Sequence, residues 1–246
     1  MTNSLHDLVV LSDSVSLYRG DCRDILPTLG RVDAVVTDPP YGMALDARFA
    51  NSTPNPAKGI GASKGYANIV GDDEPFDPTP VLSLAREVFL WGADYYRDKL
   101  PAGGSWLVWD KREGIEQVEY SASEFELCWS KVKRHRRILR QRWFGLCGTE
   151  TQDVRTRVHP AQKPVQLLAW LLDMTDAATV LDPYMGSGST GIACIRTGRK
   201  FIGIEKDARY FEIARARLEN ELRQGLLPLK HNNALHVQPG LEAGGQ

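Results

Sequence analysis

Residues 178–205 read ATVLDPYMGSGSTGIACIRTGRKFIGIE, and this stretch decides the fold. It opens with an apolar run over 178–184 that predicts a strand, followed by a glycine turn over 185–191. A short helical segment and a second strand, KFIGIE over 200–205, come next. A strand, a helix and a strand joined by short turns predict a βαβ unit and therefore a parallel sheet.

The same alternation of strands and helices extends towards both ends of the chain. Further strands are predicted over 14–18, 33–38, 103–111 and 125–131, and further helices over 21–29, 78–99, 164–175 and 207–225. A polar stretch from about 44 to 77 shows no periodicity and predicts a long loop. We expect an α/β fold with a mostly parallel sheet and helices on both faces.

The composition is that of a globular protein, with 42% hydrophobic and 25% charged residues. No apolar run approaches the roughly 18 residues of a membrane helix, and the N-terminus does not resemble a signal peptide, so we expect a cytoplasmic protein without a membrane span. The cysteines form no C-x-x-C pair, which favours free thiols and argues against a metal site. They are Cys22, Cys128, Cys147 and Cys194.

The string Asp38-Pro39-Pro40-Tyr41 ends a predicted strand, where open α/β sheets place their ligand crevice. A following proline holds a residue extended, so the Asp38 carboxylate and the Pro39 carbonyl should be two fixed acceptors. Two fixed acceptors suit an amine with two hydrogens, which they can orient towards an electrophile. A rigid turn without catalytic function is the alternative.

The glycine turn begins after Asp182-Pro183 and leads into a helix, which is typical of a site for an adenosine-containing cofactor. Glu205 ends the next strand, where it could accept hydrogen bonds from ribose hydroxyls. However, residues 186–191 also form a G-x-G-x-x-G string of the type found in NAD-binding proteins, which leaves a nicotinamide-dependent dehydrogenase open.

Both strings resemble motifs of the DNA amino-methyltransferases. TDPPYG over 37–42 is similar to their (D/N/S)-P-P-(Y/F/W) motif, and DPYMGSGST over 182–190 resembles their D-P-F-x-G-S-G-T-T loop, with Tyr184 and Ser189 as mild departures. The order of the two motifs resembles the beta group of that family over about residues 17–222. The resemblance implies a Rossmann-like methyltransferase fold with a circularly permuted motif order.

It also implies the chemistry of the site. The cofactor would be S-adenosyl-L-methionine, Asp38 and Pro39 would orient the amine, and Tyr41 would stack on a base extruded from double-stranded DNA. Pro40 completes the catalytic motif. Asp in the first position of the Asp-Pro-Pro-Tyr motif favours N6 of adenine as the methylated atom, and N4 of cytosine is the nearest alternative. A DNA-binding protein without activity on the same fold is a third possibility.

Further cofactor contacts follow from the resemblance. Asp21 lies in the segment beside the cofactor adenine, although it could equally cap a helix. Lys163, in HPAQKP over 159–164, is a candidate for the methionine carboxylate, with a solvated lysine as the alternative. The full set of candidate cofactor-binding residues is Asp21, Cys22, Lys163, Asp182, Pro183, Tyr184, Gly186, Ser187, Gly188, Ser189, Thr190, Glu205 and Lys206.

The run KVKRHRRILRQR over 131–142 contains seven basic and no acidic residues. Taken alone it predicts a solvated helix face, but the resemblance places it in the target-recognition segment, where it would contact phosphates and base edges of DNA. The candidate DNA-binding residues are Lys131, Lys133, Arg134, Arg136, Arg137, Arg140, Gln141 and Arg142. The loop with Lys58, Lys64 and Tyr66 would close over the DNA, and a homodimer would extend the contacted length.

We therefore divide the chain into four parts. Residues 1–130 form the catalytic half, 131–158 the target-recognition segment, 159–225 the cofactor-binding half and 226–246 a tail. We expect no metal to be required.

Overall fold

The computed structural model describes residues 7–42, 70–112, 123–144, 147–148, 158–159 and 161–225. The loop residues Lys58, Lys64 and Tyr66, the tail and most of 145–157 lie outside this part of the chain. The strands are β1 (Asp7–Ser12), β2 (Val15–Arg19), β3 (Ala34–Thr37), β4 (Glu87–Trp91), β5 (Ser105–Asp110), β6 (Phe125–Ser130), β7 (Ile138–Arg140), β8 (Trp143–Phe144), β9 (Cys147–Gly148), β10 (Thr179–Asp182) and β11 (Lys200–Glu205). The α-helices are α1 (Cys22–Ile25), α2 (Thr79–Leu84), α3 (Val165–Leu172), α4 (Ser189–Arg196) and α5 (Ala208–Arg223), and 3₁₀ helices cover Leu26–Thr28 and Ala93–Lys99.

The described residues form a nine-stranded sheet with the order β1-β2-β11-β10-β3-β4-β6-β5-β7, and β8 pairs separately with β9. β2, β11, β10, β3 and β4 are parallel to one another. β1 pairs antiparallel with β2, β6 pairs antiparallel with β4 and β5, and β7 pairs parallel with β5. The predicted mostly parallel sheet is confirmed. The carboxyl ends of five adjacent strands consequently lie along one edge, in the order β2, β11, β10, β3, β4.

Helices cover both faces of the sheet. Successive residues of a strand point to opposite faces, so neighbouring residues pack against different helices. Val36 and Val180 pack with α3, α4 and α5, whereas Val35 and Leu181 pack with α1, α2 and the second 3₁₀ helix. All four strand residues are fully buried. Burial on both faces explains why these strands read as continuous apolar runs rather than as alternating ones.

The helix predicted over 78–99 is wrong. The structure has helix α2 over its first part, then strand β4, and then a 3₁₀ helix. The β4 sequence EVFLW is apolar at almost every position, and the periodicity of so short a run cannot distinguish a buried strand from a buried helix. Its place between β3 and β6 in the sheet decides the matter.

Two edge strands were not predicted. β1 forms a hairpin with β2 at one edge of the sheet, and β7 pairs with β5 at the other. β7 lies within the basic run, so the alternative of a solvated helix face for that run is wrong as well. Backbone pairing with β5 overrides the helical propensity of the arginines and lysines there.

No helix in the described ranges is long and apolar enough to span a membrane. The same ranges contain no cluster of three or more His, Cys, Asp or Glu side chains that could hold a metal ion. Strands from 1–130 and from 159–225 share the large sheet, and the boundaries of the four parts remain a prediction.

Gly191 allows α4 to approach β11 and α5 closely. A Cβ at this position would lie 2.6 Å from a ring carbon of Phe201 and 2.7 Å from a methyl carbon of Leu218. The backbone at Gly191 is helical, so lack of space is what excludes a side chain. The third glycine of the string therefore serves helix packing.

We expect Gly191→Ala to lower the free energy of unfolding by about 1–3 kcal/mol, because the new methyl group overpacks the core. Gly30→Ala is the matched control, since a Cβ there meets nothing within 4 Å, and its effect should stay within about 0.5 kcal/mol. Urea unfolding of both variants measures the difference. Equal effects of the two substitutions would contradict this account of the packing.

Candidate active site at the carboxyl edge of the sheet

The two motifs found in the sequence are in direct contact. β3 and β10 are adjacent and parallel, and the Thr37 hydroxyl, just before Asp38, donates a hydrogen bond of 2.7 Å to Asp182 Oδ1. Thr37 and Asp182 are both buried. The Asp-Pro-Pro-Tyr turn and the glycine turn therefore start side by side.

Asp38 follows β3, and both of its carboxylate oxygens have partners. Oδ1 accepts a hydrogen bond from the Tyr41 hydroxyl, and Oδ2 lies 2.6 Å from Lys163 Nζ. The side chain is 19% exposed, so part of it faces the crevice. Burial raises the pKa of Asp38, and the ammonium of Lys163 opposes this shift.

Tyr41 is held in place from three directions. The backbone N–H groups of Tyr41 and Gly42 both donate to Asp72 Oδ1, at 3.0 and 3.1 Å. The Tyr41 ring stacks on Tyr95 with 5.0 Å between the centroids. Gly92 has a left-handed backbone, and a Cβ at this position would overlap the Tyr41 ring. These contacts preorganise an aromatic ring beside Asp38.

Asp182 organises the glycine turn. Besides the bond from Thr37, it accepts hydrogen bonds from the backbone N–H of Tyr184 at 3.1 Å and from the Thr190 hydroxyl at 2.6 Å. These bonds tie the end of β10 to the first turn of α4. Burial raises the pKa of Asp182 to about 6 even though the hydrogen bonds oppose the shift.

The glycine turn itself needs glycine at two positions. Gly186 and Gly188 have φ of +49° and +80°, a region that other residues rarely adopt. The Gly186 N–H donates to Glu205 Oε2 at 2.9 Å, and the side chain of Arg217 donates to the Ser187 carbonyl. Burial raises the pKa of Glu205 to about 7.

The remaining predicted cofactor residues lie at the ends of β2 and β11. Gly20 N–H donates to the Glu205 carbonyl at 3.0 Å, and Lys206 Nζ lies 2.9 Å from Asp21 Oδ2. Asp21 also caps α1, since its carboxylate accepts from the Arg23 backbone N–H. Hydrogen bonds from Arg23 hold the pKa of Asp21 well below its usual range. The helix cap considered as an alternative is therefore present, beside the glycine turn.

Lys163 lies beside Asp38 of the first motif. It is buried and contacts Asp38 and also Glu126 Oε2, the latter at 3.0 Å. Two protein carboxylates therefore neutralise its charge. Lys163 thus supports Asp38, and its contact with the methionine carboxylate of the cofactor stays a prediction.

The structure separates the basic run into two sets. Lys131 donates to the carbonyls of Leu82 and Ala85, and Arg134 pairs with Glu87 and donates to the Met174 carbonyl. These contacts stabilise the fold, and Gln141 is buried. A contact of Lys131, Arg134 or Gln141 with DNA stays a prediction. Arg142 is half-buried, and the exposed basic residues are Lys133, Arg136, Arg137 and Arg140.

Sequence reasoning missed Glu126, Asp72, Gly92 and Tyr95. Glu126 carries the one detectable signal, because it is an acidic residue within the otherwise apolar strand FELCW. Asp72 lies in a turn, Gly92 follows β4 and Tyr95 lies in the second 3₁₀ helix, and none of the three stands out in the sequence. Their roles depend on contacts with residues 30 to 54 positions away in the chain, which no local pattern reveals.

Comparison with known proteins confirms the resemblance seen in the motifs. Residues 108–216 match the profile of the N6/N4 methyltransferase family, described as DNA methylase. The type II methyltransferase M2.DpnII of Streptococcus pneumoniae is 46% identical over 65 residues, which cover 26% of this chain and 24% of that protein. The chain thus aligns with about a quarter of the curated relative's length.

Solved structures share the fold. The M1.HpyAVI–SAM complex matches with a TM-score of 0.51 at 20% identity, over 83% of this chain and all of that one. The PvuII DNA methyltransferase (cytosine-N4-specific) matches with a TM-score of 0.53 at 16% identity, over 87% and 91% of the two chains. The Rossmann-like methyltransferase fold is confirmed, whereas the circular permutation remains a prediction.

The raised pKa of Asp182 predicts a specific pH dependence of stability. Between the unfolded pKa of 3.8 and the folded value of about 6, the native state holds a proton that the unfolded state has lost. The contribution of Asp182 to stability therefore falls as the pH rises through this window. Relative to Asp182→Asn, the wild type should lose roughly 1–3 kcal/mol between pH 4 and 6. Urea unfolding across this range measures the difference, and a difference that rises with pH would contradict the assignment.

Proposed function

We propose that this protein is an S-adenosyl-L-methionine-dependent DNA methyltransferase that acts on the exocyclic amine of a base, and on N6 of adenine in particular. The observation that carries the proposal is the contact between Thr37 and Asp182, which joins the amine-orienting turn to the cofactor turn. A donor bound at one turn would lie next to an acceptor held at the other. The family match over 108–216 supports the same activity.

The residues present fit an adenosine-containing methyl donor. Gly186 and Gly188 leave two positions of the turn before α4 without side chains. The Ser189 hydroxyl at the start of α4 is buried and has no hydrogen-bond partner among the described residues. Glu205 and Asp21 add carboxylates at the two neighbouring strand ends. When bound, the cofactor supplies an electrophilic methyl group on a sulfonium. Lys206, Cys22, Pro183, Tyr184, Ser187 and Thr190 complete the proposed set.

Asp38 and the Pro39 carbonyl would accept the two hydrogens of the target amine. Accepting both hydrogens favours a pyramidal nitrogen with its lone pair directed at the methyl group, so catalysis is by orientation and electrostatics. Only an ionised Asp38 accepts in this way, and Lys163 favours that form. The stacked rings of Tyr41 and Tyr95 offer an aromatic surface for an extruded base.

Adenine is proposed over cytosine because Asp, rather than Ser, precedes Pro39-Pro40-Tyr41. The fold does not discriminate between the two bases, since a cytosine-N4-specific enzyme shares it. The alternative that residues 186–191 bind a nicotinamide cofactor has less support. The hydrogen bond from Thr37 to Asp182 links the glycine turn to the turn that contains Asp38. Calorimetric titration with S-adenosyl-L-methionine and with NAD tests that alternative directly.

The exposed basic residues Lys133, Arg136, Arg137 and Arg140 are the proposed contacts to DNA phosphates. They lie on and beside β7, at the opposite edge of the sheet from β1. A homodimer, which would lengthen the contacted DNA, remains a prediction.

We expect Asp38→Ala to lower methyl transfer by at least about 100-fold, because the fixed acceptor is lost. S-adenosyl-L-methionine affinity should stay within a few-fold. Transfer of labelled methyl groups to DNA and calorimetry measure the two quantities. Asp13→Ala, in the β1–β2 turn at the far edge of the sheet, is the control and should retain full activity. Near-normal turnover of Asp38→Ala would refute the assigned role.

The modified base is identified by digesting the product DNA and analysing its nucleosides by mass spectrometry. The proposal expects N6-methyladenine. N4-methylcytosine alone would overturn the choice of adenine and leave the methyltransferase activity intact.

DNA binding should depend on the exposed basic residues. Arg136→Ala/Arg137→Ala should weaken binding of duplex DNA and reduce the slope of log affinity against log salt by about 2, one for each lost phosphate contact. Arg209→Ala/Arg223→Ala on α5 removes the same charge from the distant half of the sheet and should leave the slope unchanged. Fluorescence anisotropy over a salt series gives both slopes, and identical slopes for the two double variants would exclude this surface.

A further inference from the structure

Four charged side chains of alternating sign run through the interior behind Asp38. Asp38 Oδ2 lies 2.6 Å from Lys163 Nζ, which lies 3.0 Å from Glu126 Oε2. Glu126 Oε1 accepts a hydrogen bond from Lys111 Nζ. The resulting chain, Asp38–Lys163–Glu126–Lys111, carries no net charge when all four groups are ionised.

The two lysines of this charge chain are largely shielded from water, and the two carboxylates are partly shielded. The exposed fraction of the side chain is 8% for Lys163, 13% for Lys111, 19% for Asp38 and 29% for Glu126. Lys163 Nζ lies 5.3 Å from the centre of the Trp91 ring, and Lys111 Nζ lies 5.0 Å from that of Trp109. Charges in such surroundings are weakly screened. Removing the charge of one member of the charge chain should therefore alter the pKa of Asp38 at its end.

Glu126 is ionised in this setting. Burial alone would raise its pKa, but Lys163 and Lys111 together lower the pKa to about 2. The ionised Glu126 carboxylate and Asp38 compete for the same ammonium group. The negative charge of Glu126 also contributes to the raised pKa of Asp38.

We propose that Glu126 is a positioning residue that acts on Asp38 through Lys163 and thereby sets the pH range in which Asp38 accepts the substrate amine. The inference rests on the proposed function for the role of Asp38, and on geometry for the connection. Lys163 pairs with both Glu126 and Asp38 and so connects the two carboxylates. Lys111 pairs with the other carboxylate oxygen of Glu126 and is the last member of the charge chain.

Other titratable groups also face Asp38. Tyr41 donates to it from its own turn, Tyr96 lies on the second 3₁₀ helix, and Cys128 and Asp182 lie on β6 and β10. Burial raises the pKa of Tyr41, Tyr96 and Cys128 above their ordinary values, which keeps them neutral near pH 7. Lys163 and Glu126 therefore carry most of the charge that Asp38 experiences, together with Asp182.

The test compares the acidic limb of the pH profile of kcat/KM for methyl transfer among charge variants. This limb reports the ionisation of the essential groups of the free enzyme, among which Asp38 is the one that pairs with Lys163. Glu126→Gln removes a negative charge and leaves Lys163 to Asp38 alone, so the limb should move to lower pH by about one unit. Lys111→Met removes a positive charge and should move it to higher pH. The double variant restores neutrality and should lie between the two.

Glu124→Gln is the matched control. Glu124 lies two residues before Glu126 and pairs with the exposed Arg112 at 3.0 Å, so the same substitution there should leave the limb in place. Loss of rate in Glu126→Gln and Lys111→Met with an unmoved limb would show a purely structural role and overturn the proposal. Opposite shifts in the two variants cannot come from general destabilisation.

A second measurement separates this inference from the proposed function. Titration of the carboxyl ¹³C signal of Asp38, identified by its loss in Asp38→Asn, reports the same ionisation without any activity. If the wild type transfers no methyl group, shifts of this signal in opposite directions still support the role of Glu126, although the proposed function fails. If methyl transfer occurs and neither variant moves the signal, the role of Glu126 is refuted while the proposed function stands.

Discussion

The structure depends on the parallel pairing of β3 with β10 and on the hydrogen bond from Thr37 to Asp182 that completes it. These strands come from parts of the chain 145 residues apart. Parallel neighbours end at the same edge of a sheet, so the turn after β3 and the turn after β10 must share one crevice. The buried hydroxyl–carboxylate bond then fixes how the two turns face one another.

Around this pair, the site is built mainly from fully or partly buried carboxylates whose partners differ. Asp182 and Glu205 accept hydrogen bonds mostly from neutral groups and have raised pKa values, whereas Asp21 and Glu126 have cationic partners and lowered ones. Asp38 lies between these cases, since burial and Lys163 act on it in opposite directions. This balance explains why a residue as remote as Lys111 can influence the chemistry at the edge of the sheet.

The errors of the sequence analysis share a physical cause. β4 was predicted as part of a helix because EVFLW is apolar at nearly every position, and only its neighbours in the sheet make it a strand. Lys131 and Arg134 belong to the basic run, and the sequence did not reveal that each donates to a carbonyl group more than 35 residues away. Local patterns report charge and periodicity, whereas partners over long separations are a property of the folded chain.

By itself, the sequence determined the alternation of strands and helices, the glycines that the cofactor turn requires and the stiff Asp-Pro-Pro-Tyr turn. Each of these is a local property of backbone geometry or hydrophobic pattern. The tertiary structure alone decided that Lys163 supports Asp38, that Glu126 shares this lysine and that Gly92 makes room for Tyr41. Such contacts form only when distant segments pack together. A buried charge is unfavourable unless the fold places a partner of opposite charge or a hydrogen-bonding group next to it.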